Sequence, residues 1–202
     1  MHSFVQGLVL GFSIAAPVGP IGLLCIRRSL AEGRLAGFIS GLGAATADAV
    51  YGAIAALGLT ALMAALTAQR DWLQLGGGVF LVYLGIATLR APARPRESEA
   101  KPAAATNLRT AYFSVFVLTL TNPMTILSFL AMFAGLGPGG NAGWIVVGVF
   151  TGSAAWWWLL SFAAAWFSGK LRPGGLRAIN LTSGAVISTF GAWQLASLAL
   201  RQ

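Results

Sequence analysis

Charge is what this sequence has least of. Only 9% of its 202 residues are charged and 57% are hydrophobic, where an average soluble domain carries roughly 25% charged residues. No Asp, Glu, Lys, Arg or His falls between Thr110 and Gly169. A run of about 20 apolar residues already crosses a bilayer. That stretch therefore holds two crossings, and a soluble domain is excluded. Cysteine is nearly absent too. Cys25 stands alone, which excludes an internal disulfide and the dithiol relay of a membrane redox carrier. Histidine occurs once, at His2, and Asp48 is the single acid deep in an apolar run. A Ser–His or paired-Asp hydrolase site cannot be built from these. Several soft or acidic metal ligands are also lacking, so export of a heavy-metal cation is only an alternative. No enzyme, cofactor or bound metal is expected.

Acidic residues are also few, which leaves a net charge of +8. The basic residues sit in short clusters between apolar runs, with no basic face for a phosphate backbone to follow. Nucleic acid is not an expected partner; the lipid bilayer is. Six transmembrane helices are predicted near Phe4–Ile26, Leu35–Leu66, Trp72–Leu89, Thr110–Leu136, Ala142–Ser168 and Ala178–Leu200. The first is too long, and its leader too poor in charge, for a signal peptide. Gly137 to Asn141 marks a turn, and the Pro- and charge-rich stretch from Ala91 to Asn107 a cytoplasmic loop. Eleven Lys and Arg residues fall in alternate loops, among them Arg27, Arg28, Arg34, Lys101 and Lys170; only Arg70 and Arg201 fall on the other side. Basic loops stay in the cytoplasm, so both termini are expected outside it, in the plasma (inner) membrane of a bacterium.

The two halves align without a gap at an offset of 106 residues: Pro17 on Pro123, Gly37 on Gly143, Gly78 on Gly184 and Gly85 on Gly191. Three spans per half invert the second half relative to the first. The expected fold class is an all-α integral membrane protein with a 3+3 inverted repeat and broken first and fourth helices. Residues 1–90 form the first repeat, 91–109 the linker and 110–202 the second repeat. Inverted repeats are a common plan of secondary transporters, with the site near the midplane.

Pro17-Val18-Gly19-Pro20 interrupts the first span and Asn122-Pro123 the fourth. Proline removes a backbone donor and blocks continuous helix; the carbonyls it frees are tolerated only where protein or water covers them. A plain kink is the bland account. Two breaks at matching depth point instead to the discontinuous helices of transporters. Asp48 is expected to face the interior, since a central carboxylate costs about 2.5–3.5 kcal/mol on insertion scales. Gly41, Ala45, Asp48 and Gly52 share one helical stripe. A packing role is the alternative to a substrate or proton role. The candidate substrate site is thus Pro17, Gly19, Pro20, Asp48, Asn122 and Pro123, with Asp48 also the ion-coupling group.

At these residues the chain resembles the lysine exporter (LysE/RhtB) family of small amino-acid exporters. The likeness rests on Pro17-Val18-Gly19-Pro20, on the Gly37–Asp48 stretch and on Asn122-Pro123, and runs over almost the whole chain. It implies export of amino acids or related small polar solutes from the bacterial cytoplasm, driven by an ion gradient, usually of protons. Two positions depart from the common pattern. Met124 follows the Asn-Pro pair where many members carry Lys, and Val18 lengthens a Pro-Gly-Pro element. The expected function is secondary active export. A non-transporting membrane assembly subunit is the alternative, and a homo-oligomer is left open.

Overall fold

A computed structural model describes residues 1–57, 65, 68–90, 107–134, 141–168 and 175–200. Among them there are helices and no strands. The elements are α1 (His2–Ala15), α2 (Pro20–Glu32), α3 (Arg34–Ala56), α4 (Arg70–Leu89), α5 (Leu108–Leu120), α6 (Pro123–Ala134), α7 (Ala142–Ser168) and α8 (Gly175–Ala199). The turn expected at residues 137–140, most of the Ala91–Asn107 loop and much of the second span beyond Leu57 lie outside the described residues.

Both predicted breaks are present, each between two helices. α1 and α2 bend by 83° across Pro17–Gly19, and α5 and α6 by 64° across Thr121 and Asn122. Each second half opens on a proline, Pro20 or Pro123, the residue best suited to a first helical turn because its missing N–H is not needed there. α2 then continues to Glu32, so Arg27 and Arg28 belong to a helix and not to a loop as the charge pattern suggested. Gly33, at φ 97°, turns the chain from α2 directly into α3, a conformation glycine adopts without the Cβ penalty.

Bulk points outward. Val5, Val9, Trp72, Val79, Tyr83, Phe113 and Trp166 are exposed, whereas Ala44, Ala45, Ala47, Ser40 and Ser153 are buried. A large apolar exterior, with small residues buried along α3 and α7, suits lipid as the solvent. By length and apolarity α3, α4 and α7 can each cross a membrane, and each bent pair can make a further span, which gives up to five. The predicted sixth span corresponds to α8, which spreads Asn180, Ser183, Ser188 and Gln194 along its length and does not reach that apolarity.

Glycine brings the helices together backbone to backbone. α1 lies along α7, with Gly7 and Gly11 against the carbonyls of Ile145 and Val149, and Gly148 and Gly152 against those of Phe4 and Leu8. α5 lies along α3, where Gly43 meets the Tyr112 carbonyl. α4 crosses α8 with Gly78 against Gly191 and Gly85 against Gly184. α3 and α7 run antiparallel through the centre, Gly41 on Trp157 and Gly52 on Val149.

Candidate functional site

The second break shows how an interrupted helix is tolerated. Pro123 has no N–H, so α5 ends at Leu120. Asn122 N closes onto the Thr119 carbonyl at 3.2 Å. The Asn122 side chain caps α6, its Oδ1 accepting from Met124 N at 3.1 Å. That diversion leaves the Leu120 carbonyl without its helical donor, and the Tyr51 hydroxyl from α3 donates to it instead. Tyr51 is 1% exposed. Its ring stacks at a tilt on Phe129 of α6, so one side chain of α3 holds both halves of the broken span.

At the first break Gly19 N donates to the Pro17 carbonyl at 3.0 Å. α2 starts with no side-chain cap, and its first described helical bond runs from Leu23 N to the Gly19 carbonyl at 3.0 Å. Pro17 is exposed and Gly19 partly so.

The two breaks converge. Pro20 and Ile21 from the first and Leu118 and Asn122 from the second line one small cavity of about 10 Å³, closed by Gly77 and Leu81 of α4 and by Phe190 and Gln194 of α8. A space of this size holds about one water molecule. Of the six predicted residues, Pro20 and Asn122 line this cavity, while Pro17, Gly19 and Pro123 flank it in sequence.

Asp48 is placed elsewhere. It is 3% exposed and sits on the α3–α7 seam, where Ser153 Oγ donates to its Oδ2 at 2.7 Å. Trp157 Nε1 donates in turn to Ser153 Oγ at 3.1 Å. The predicted stripe is real: Gly41, Ala45, Asp48 and Gly52 are all buried, and the last two and Gly41 face α7. A hydroxyl is a versatile partner, because it can donate to a carboxylate or accept from a carboxylic acid.

Sequence reasoning missed several buried polar residues. Arg28 is 8% exposed. Its guanidinium donates to Ser40 Oγ at 2.8 Å, the Ala111 carbonyl at 3.0 Å and Ser114 Oγ at 3.0 Å. It ties α2 to α3 and α5. Arg27 Nε reaches Asn180 Oδ1 of α8 at 3.1 Å. Both read as topology signals because nothing local marks that a basic residue, buried like Arg28 or partly buried like Arg27, bonds to another helix. Gln194 and Gln74 had a signal that was passed over. An amide in an apolar span is rare enough to mark a lined interior, and each is buried, with Gln74 Nε2 donating to the Gln194 backbone carbonyl at 2.8 Å. No group of three or more His, Cys, Asp or Glu able to hold a metal occurs among the described residues.

Residues 12–197 match a family model described as LysE type translocator. The chain belongs to this family. The translocator is 30% identical to a putative amino acid efflux protein of Bacillus subtilis over 201 residues, covering 95% of this chain and 94% of that protein. It is 31% identical to an arginine exporter of Yersinia enterocolitica over 209 residues, covering 98% and 97%. An arginine exporter of Photorhabdus laumondii is 26% identical over 205 residues, covering 99% and 98%. No solved structure matches the chain. The family is one of membrane transporters and not of enzymes, and its amino-acid efflux members accord with the broken helices and apolar exterior described above.

Proposed function

We propose that this translocator is a secondary active exporter of amino acids or related small polar solutes, coupled to protons through Asp48, in the bacterial plasma membrane. The observation that carries the reading is the meeting of two broken helices at one cavity between the halves of the chain. Half-helix ends at a shared interior cavity are how secondary transporters meet polar solutes inside a bilayer. Two relatives named for arginine export make arginine the first solute to test.

A 3+3 inverted repeat underlies this reading, and the glycine contacts support it. Gly78 and Gly184 are related by the 106-residue offset, as are Gly85 and Gly191. Exchanging the halves therefore turns the Gly78–Gly191 contact into the Gly184–Gly85 contact, both of which occur. α4 and α8 cross antiparallel, so an axis that exchanges them runs across the helices and not along them. The same exchange carries the α1–α7 seam onto the α5–α3 seam. α8 is then the sixth crossing, its polar residues turned inward.

The decisive measurement is counterflow in vesicles holding the purified protein. Labelled amino acid should accumulate when the vesicles are preloaded with the same solute, and Pro17→Ala and Pro123→Ala should lower that flux about tenfold or more while the protein stays in the membrane. An empty-vesicle rate with every protein amino acid would refute amino-acid export.

Orientation has its own test. With eleven basic residues on one side, Asn141 is proposed outside and Ser98 in the cytoplasm. Cys25 is fully buried and shielded from reagent, and a Cys25→Ser background removes it from the labelling altogether. In intact cells an impermeant thiol reagent should label Asn141→Cys and spare Ser98→Cys. The opposite pattern would reverse the topology.

A further inference from the structure

The cavity between the breaks has two chemically different walls. On one wall is the start of α2. Pro20 has no N–H, Gly19 offers no side-chain cap, and the helical ladder begins only at Leu23 N. The amides of Ile21 and Gly22 precede that first bond and have no helical acceptor. A helix N-terminus of this kind is the positive end of the helix dipole and suits an anion. α6 is unlike it. There Met124 N is capped by the Asn122 side chain, and Thr125 N and Ile126 N bond to the Asn122 carbonyl. Of the two half-helices that begin at the cavity, α2 alone keeps its first amides open.

On the other wall is Gln194. It is 2% exposed, and its side-chain carbonyl oxygen is buried with no hydrogen-bond partner among the described residues. Its own backbone carbonyl is taken by Gln74 Nε2, which holds this turn of α8 in place. Leaving a buried carbonyl unpaired forfeits the hydrogen bond it made to water. A group retained at such a cost calls for a donor that arrives with a ligand.

The geometry points to Gln194 as the residue that recognises the ammonium group of the transported amino acid, whose carboxylate rests on the open N-terminus of α2. The inference rests on the proposed export of amino acids and names the subsite that performs it. Donors on one wall and an acceptor on the other complement a zwitterion and mismatch a simple carboxylic acid. At about 10 Å³ the cavity holds about one water and not an amino acid, so binding and passage both require α4 and α8 to draw back from α2. Gly77, Leu81 and Phe190 are the residues that close it.

Counterflow with the full-length protein tests this. The probe is the labelled L-amino acid that the wild-type protein exchanges fastest, and the competitor is its desamino analogue, with hydrogen in place of the ammonium. In the wild type the analogue should compete at least about tenfold more weakly, the value of one hydrogen bond to a charged group. In Gln194→Leu the KM for the amino acid should rise about tenfold and the gap between the two competitors should close. Gln194→Glu keeps a carbonyl acceptor and should preserve the gap. An undiminished gap in Gln194→Leu would overturn the assignment. So would equal competition by the analogue in the wild type, a result that needs no variant to fold. Exchange of no amino acid by the wild type would instead remove the export reading, and the subsite with it.

Discussion

Asp48→Asn is expected to abolish export against a gradient while sparing exchange down one. The carboxyl group lies buried between α3 and α7 with a neutral hydroxyl, Ser153 Oγ, 2.7 Å from Oδ2. Asparagine keeps the size and an acceptor oxygen for that bond, so the seam should hold, but it cannot take up and release a proton. Under the proposed coupling, uphill accumulation driven by the proton gradient should fall by about fiftyfold for each coupled charge at 100 mV. A membrane potential contributes about 2.3 kcal/mol per charge per 100 mV, and a variant that carries no coupled charge forgoes it, which is close to fiftyfold in accumulation ratio for each charge. Counterflow between equal pools asks nothing of the proton and should stay within about threefold of wild type. If uphill export and counterflow fell together, Asp48 would be a fixed partner for substrate. Uphill export at the wild-type rate would leave it a packing residue. Asp48 does not line the cavity between the breaks, so under the proposed coupling its proton would act through the α3–α7 seam.

The second large effect is on stability. Gly11→Ala should destabilise the protein by about 1–3 kcal/mol, the usual cost of overpacking a close contact. A Cβ at position 11 would fall on the Val149 backbone carbonyl. Backbone cannot rotate away as a side chain can, so α1 and α7 would have to part along their whole seam. Gly76→Ala is the matched control. Nothing lies within 4 Å of a Cβ there, the residue is exposed on α4, and removing a helix-interior glycine stabilises by about 0.4–1 kcal/mol. Thermal unfolding in detergent should move the two variants in opposite directions. A Gly11→Ala protein as stable as wild type would mean that the α1–α7 seam contributes little to the fold.

Much of the architecture was legible in one dimension. Transfer of residues from water to lipid is a sum over local composition, so the apolar runs announced the membrane and most of the spans without any knowledge of packing. Proline acts on its own helix, so Pro17, Pro20 and Pro123 announced both breaks. The stripe of Gly41, Ala45, Asp48 and Gly52 followed from helical period alone. What the chain could not disclose locally was which side chains meet. Ser153 lies 105 residues from the Asp48 it bonds, Asn180 lies 153 from Arg27, and the Leu120 carbonyl lies 69 from Tyr51. Those partnerships depend on how closely helices cross, which is set by backbone contact at Gly43, Gly85 and Gly152 summed over the bundle. The same crossings kept Asp48 off the cavity lining, buried Arg28 where charge pattern read a loop, and brought Gln194 to the same cavity as the start of α2. Composition and period, being local, determined that the chain enters a membrane and where its helices break; the crossing geometry, being collective, decided what lies at the breaks.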